Sequence, residues 1–131
     1  MRIPRREFVL ALAATAVGCR AAAAPRPTPT PARMYGLIGK MLATPGQRDA
    51  LVALMLEGTA DMPGCLSYVI AKDATDANAI WITEVWDSKE SHDASLTLPA
   101  VRAIIARARP LIAGFEAGAT TEPVGGVGLK G

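Results

Sequence analysis

Apolar positions alternate along some segments of this chain and recur at helical spacing along others, and the two patterns predict its elements in turn. MYGLIGKML, residues 34 to 42, is strand-length and apolar on both alternating faces. Thr44-Pro45-Gly46-Gln47 follows, with a threonine to cap, proline at the first helical position and glutamine three residues after the threonine. This predicts a helix from Pro45 to about Asp61 with Leu51, Leu54 and Met55 on one stripe, ended by Met62-Pro63-Gly64. CLSYVIAK (65 to 72) and AIWITEVW (79 to 86) predict two more strands. Asp73 to Asn78, all polar or small, predicts an antiparallel hairpin between them. Asp87, with Glu90 three residues on, predicts the next helix start. Pro99 opens a further helical segment whose stripe is Val101, Ile104, Ile105, Ala108, Leu111 and Ile112, with Pro110 predicted to kink its last turn. A last strand is expected over about Phe115 to Glu122.

Strand, helix, strand, strand, helix, strand is the order of an α+β domain with the ferredoxin-like split βαβ arrangement. In such a domain the helices cover one face of the sheet. Here Ile80, Ile82 and Trp86 alternate with Ala79, Trp81 and Val85, so both faces of that strand are apolar. An uncovered apolar face needs a second sheet, and a homodimer packed sheet against sheet supplies one.

The ends of the chain are of a different kind. MRIPRREFVLALAATAVGCRAAAAP starts with three arginines at positions 2, 5 and 6, continues in an 11-residue apolar run from Phe8 to Gly18, and then turns to mostly small residues. That is the order of a secretory signal, and the run falls short of the roughly 20 residues that span a bilayer. Residues 1–24 are therefore read as an export signal and the mature chain as periplasmic or membrane-anchored. Arg5-Arg6-Glu7-Phe8-Val9-Leu10 resembles a twin-arginine signal, and Ala16-Val17-Gly18-Cys19 a lipobox in which Cys19 would carry lipid. Ala22-Ala23-Ala24 offers a competing cleavage zone. Residues 25–33, with their alternating prolines, read as an extended tether, residues 34–123 as the domain and 124–131 as a glycine-rich tail.

Among 131 residues there are 14 basic and 12 acidic ones, and losing residues 1 to 19 leaves 11 of each. The basic excess belongs to the signal and gives no reason to expect a nucleic-acid partner. One histidine and two cysteines do not make a metal site, so no metal is expected. If Cys19 is lipidated, Cys65 has no disulfide partner and reads as a small packed residue. His92 is the only histidine, six residues after Trp86, and an imidazole exchanges protons near neutral pH. A histidine early in a helix is just as readily a solvated polar group, and Trp86 at a strand end just as readily core.

From about Met34 to Glu122 the chain resembles the antibiotic biosynthesis monooxygenase superfamily, quinol monooxygenase-like members included. Glu84-Val85-Trp86-Asp87-Ser88-Lys89-Glu90, His92, Ser95, Leu96-Thr97-Leu98-Pro99-Ala100-Val101 and Pro110-Leu111-Ile112 carry the resemblance. It implies a dimeric α+β barrel that oxygenates a quinol or small polyphenol with dioxygen and no metal or flavin. An electron-rich phenolate reduces dioxygen by itself, so the protein needs only to take a proton, hold the ring and exclude water. Under the resemblance His92 is the candidate base or substrate-orienting group, Trp86 a pocket wall, and Tyr68 and Ser95 further substrate contacts. The alternative is a non-enzymatic dimeric envelope module that binds a small aromatic or haem-like ligand. Against haem degradation, the only asparagine, Asn78, falls in the predicted hairpin loop.

Overall fold

The computed structural model describes residues 17–28 and 32–130. The export signal expected at residues 1–24 lies outside the described residues as far as residue 16. Residues 17–28 are exposed and without regular structure, and no helix among the described residues is long and apolar enough to cross a membrane.

The elements are β1 (Tyr35–Ala43), α1 (Arg48–Gly58), β2 (Cys65–Lys72), β3 (Ala79–Trp86), α2 (Lys89–Ser95), α3 (Pro99–Ala108), a 3₁₀ turn (Arg109–Leu111) and β4 (Ile112–Thr121). The strands form one antiparallel sheet in the order β2-β3-β1-β4, the ferredoxin-like α+β arrangement. β1 and β3 are central, paired from Tyr35 opposite Trp86 to Leu42 opposite Ala79. That register puts Met41, Ile80 and Ile82 on the helix-covered face, where Leu51 and Met55 of α1 and Ala108 of α3 close over them. Leu51 and Ile80 are fully buried.

Local turn chemistry moved three boundaries. Thr44 does not cap α1, because Pro45 and Gly46 make a turn instead: the Gln47 N–H donates to the Thr44 carbonyl at 3.0 Å and Gly46 has φ +80°. Proline followed by a left-handed glycine is the signature of a type II turn. The helix starts at Arg48 and ends at Gly58, without the expected capping box. One residue after the expected Asp87, Ser88 caps α2, its Oγ accepting from the Ser91 N–H at 3.1 Å. A short hydroxyl reaches that N–H from extended backbone, as the φ of −158° at Ser88 provides. Pro110 tightens the end of α3 into the 3₁₀ turn, and β4 starts at Ile112, ahead of the expected Phe115.

The hairpin loop between β2 and β3 is tied down from two sides. Asp73 Oδ1 accepts the backbone N–H groups of Thr75 and Asp76, both at 2.8 Å, while Arg48 Nη1 reaches the Asp76 carbonyl at 2.8 Å. Among the described residues no helix covers the opposite face of the sheet. Val69 is 53% exposed there, and Ile38 and Trp81 are each 38% exposed. Lys40 lies over the Trp81 ring and pairs with Glu116 at 3.0 Å.

Candidate active site

On β3 the helix-facing positions are Ile80, Ile82, Glu84 and Trp86, so a carboxylate stands where the pattern calls for an apolar side chain. Tyr68 is the cross-strand partner of Glu84 on β2 and faces the same way. α2 then carries His92 over this end of the sheet. Ser88 fixes where α2 starts, and His92 comes one turn later, its N–H on the Ser88 carbonyl at 3.3 Å. Gly64 sets how closely α2 approaches. It has φ +83°, its carbonyl accepts the Asp87 N–H at 2.9 Å, and a Cβ there would lie 2.5 Å from Ser91 Cβ and Oγ. Only glycine meets both demands.

The side chains of His92 and Glu84 are each 15% exposed. His92 Nδ1 is 3.1 Å from Asp93 Oδ1. Lys89 first, and His92 second, hold the Asp93 carboxyl below its ordinary range. An ionised carboxylate only accepts, so the proton of a neutral His92 ring sits on Nδ1 and the Nε2 lone pair points the other way. Nε2 is 3.9 Å from Glu84 Oε2. The imidazole is further held by two rings, with Trp86 edge-on at 5.4 Å and Tyr35 tilted at 5.3 Å between centroids.

His92, Glu84 and Trp86 line a cavity of about 290 Å³ between the sheet and the helices. Leu51, Met55, Ile104 and Phe115 supply apolar lining, and Thr59, Tyr68, Glu84, His92 and Ser95 supply polar groups. The volume is at the lower edge of the roughly 300–1,000 Å³ usual for small-molecule sites, which fits a small planar ligand. A shallower groove of about 350 Å³ along β1 and β4 shares Met41, Tyr68, Glu84 and Phe115 with it. Burial raises the Glu84 carboxyl above its ordinary value, against smaller opposite effects of its hydrogen bond from Trp86 Nε1, at 2.9 Å, and of His92. Burial, then Glu84, pushes the Tyr68 phenol far above the usual range, so its hydroxyl stays a neutral donor. No group of three His, Cys, Asp or Glu among the described residues could hold a metal ion.

All four cavity residues singled out in the sequence, His92, Trp86, Tyr68 and Ser95, line this one space. Trp86 is its buried back wall, 1% exposed. Ser95 is buried as well, but its Oγ donates to the His92 carbonyl at 2.6 Å, so its hydrogen serves the helix. Cys19 is a free, exposed thiol in the segment ahead of the domain. Glu84, Asp93 and Tyr35 were not singled out. For Glu84 part of the signal was present: alternation puts it on one face with Ile80, Ile82 and Trp86, and a charge on so apolar a face demands a reason.

The family model of the antibiotic biosynthesis monooxygenases matches residues 34–107. The chain is 65% identical to a protein of Chloroflexus aurantiacus J-10-fl classed as an antibiotic biosynthesis monooxygenase, with a TM-score of 0.72 over 74% of this chain and 99% of that one. The fold also matches a protein of Caulobacter crescentus CB15 (19% identity, TM-score 0.65, 72% of this chain and 93% of that one). It matches SnoaB, a cofactor-independent oxygenase of Streptomyces nogalater, at 14% identity and a TM-score of 0.59, over 73% of this chain and 98% of that one. None of the curated proteins matches in sequence. With its family model covering more than half of its length and a close relative spanned almost end to end, the chain belongs to the antibiotic biosynthesis monooxygenase family.

Proposed function

We propose that the protein is a cofactor-independent monooxygenase that inserts one atom of dioxygen into a quinol or small polyphenol. The observation that carries this reading is the placement of His92: Nδ1 lies against Asp93, and the ring lines a small, mostly apolar cavity. A quinol hydroxyl placed at Nε2 gives up its proton, and the phenolate then donates one electron to dioxygen. The two radicals join at a ring carbon, and loss of water leaves a hydroxyquinone: quinol plus O₂ becomes hydroxyquinone plus H₂O. Trp86 and Tyr35 hold the imidazole ring, and the apolar lining keeps water from the charged intermediates.

Two further statements belong to the same reading. A second copy of the chain covers the open sheet face at Ile38, Val69 and Trp81, since that much apolar surface is unfavourable in water. The mature protein is exported and held at the membrane through Cys19, the Pro-rich stretch acting as tether.

The mature protein incubated with quinols, with and without air, should take up oxygen well above the non-enzymatic rate, and His92→Ala should lower the enzymatic part by about 10²-fold or more. Saturable quinol binding without turnover, unchanged by His92→Ala, would instead mark a binding module. Light scattering at micromolar concentration tests the dimer, and mass spectrometry of the mature N-terminus tests the anchor.

A further inference from the structure

We infer that Glu84 is the acid partner of His92: its carboxyl delivers the proton on which the leaving oxygen of the peroxide departs as water. The inference rests on the quinol reading above. It starts from a distance. His92 Nε2 and Glu84 Oε2 are 3.9 Å apart, too far for a hydrogen bond between them. One oxygen atom set between them, at about 2.8 Å from each, would bond to both. The two side chains thus straddle a seat for a single substrate oxygen on the cavity wall, and Glu84 is the only acidic residue among the described residues that line the cavity.

The reaction needs a proton there. After the first proton transfer and the coupling with dioxygen, the imidazolium returns its proton to the peroxide, giving a ring hydroperoxide. Going on to hydroxyquinone takes the hydrogen from the same ring carbon and breaks the O–O bond. The C–H electron pair becomes the second bond of the new carbonyl, and the O–O pair leaves with the outer oxygen. His92 Nε2 takes the carbon's proton and Glu84 gives its own to the departing oxygen, which leaves as water. The imidazolium then reprotonates Glu84 across the 3.9 Å gap through the oxygen bound between them, and both groups return to their starting state. Burial, which keeps the Glu84 carboxyl protonated to higher pH than usual, suits it to the acid role, and Trp86 Nε1 fixes which way Oε2 faces. Without that acid the hydroperoxide has another exit. It expels hydroperoxide, and quinol plus O₂ becomes quinone plus H₂O₂.

The experiment follows products rather than rate alone. Benzene-1,4-diol and naphthalene-1,4-diol are oxidised by wild type, Glu84→Gln and Trp86→Phe while oxygen uptake, hydrogen peroxide and hydroxyquinone are measured together. Wild type should give hydroxyquinone with little peroxide. Glu84→Gln keeps the hydrogen-bond acceptor for Trp86 and should still consume oxygen, but its hydroxyquinone should fall about 10²-fold, with peroxide released in proportion to oxygen used. Trp86→Phe frees the carboxyl to turn and should leak peroxide several-fold above wild type, so the test stands even if Glu84→Gln does not fold. A product ratio in these variants equal to that of wild type overturns the role of Glu84 while leaving the quinol reading intact. Wild type that takes up no oxygen above the non-enzymatic rate overturns both.

Discussion

Replacing Gly64 by alanine should unseat His92 from a distance, and the size of the effect can be worked from two features. The backbone at Gly64 has φ +83°, a conformation that costs an L-residue with a Cβ about 1–2 kcal/mol. The added Cβ would also stand 2.5 Å from Ser91 Cβ and Oγ and 2.7 Å from Asp87 Oδ1. Ordinary contact begins near 3.4 Å, so the N-terminus of α2 must retreat by about 0.9 Å, and overpacking of this kind costs about 1–3 kcal/mol. The sum is about 2–5 kcal/mol, which in a domain of this size lowers Tm by roughly 10 °C or more. His92 follows Ser91 directly, and in the base role proposed for it a displacement near 1 Å costs about 10²-fold in rate. Thermal unfolding by circular dichroism and oxygen uptake with a quinol read the two effects. Ser91→Gly in the Gly64→Ala background removes the nearest clashing atoms and should return part of the stability, leaving the backbone cost. A Gly64→Ala protein within 0.5 kcal/mol of wild type would refute the reasoning, as would a double variant no more stable than the single one.

Other outcomes follow from single contacts. Leu51→Ala opens a hole in the fully buried core and should lower stability by about 2–5 kcal/mol, read as a fall in the urea midpoint at unchanged slope. Ser88→Ala removes the hydroxyl that caps α2 and should cost about 1 kcal/mol in the same assay. For Glu84 the folded-state pKa is raised, so its contribution to stability is complete below the ordinary carboxylate value and is lost as pH rises through the folded one. Glu84→Gln should therefore gain on wild type between pH 4 and pH 8, and urea midpoints differing by the same amount at both would contradict this. Asp73 is the opposite case, held low by the N–H groups of Asp76 and Thr75 and by the Trp81 indole. Its contribution is present above the ordinary value and is lost on acidification, so Asp73→Ala should be weaker than wild type at pH 7 and lose less on acidification.

The strands and their order along the chain were legible in the sequence because strand-length apolar runs bounded by turn residues are a local pattern. Residues 65–72 and 79–86, and the hairpin between them, needed no tertiary information. Helix starts were harder to read, since several residue types can satisfy the same exposed N–H groups. Thr44 and Asp87 fitted a capping pattern, but the Thr44 carbonyl closes the Pro45-Gly46 turn by accepting the Gln47 N–H, and the Ser88 hydroxyl accepts the Ser91 N–H.

By itself, the sequence determined the α+β order, the stripe of α1 around Leu51 and which β3 residues share a face, Glu84 with Ile80, Ile82 and Trp86. Only the tertiary structure decided that this face turns toward the helices, that Tyr68, Glu84, Trp86, His92 and Ser95 share one cavity, that Asp93 lies against Nδ1 of His92, and that Nε2 stands 3.9 Å from a carboxylate eight residues earlier. The reason is one of scale. Alternation and capping act over a few neighbouring residues, whereas the direction of the His92 ring depends on how closely α2 settles against Gly64, a distance that no local pattern encodes.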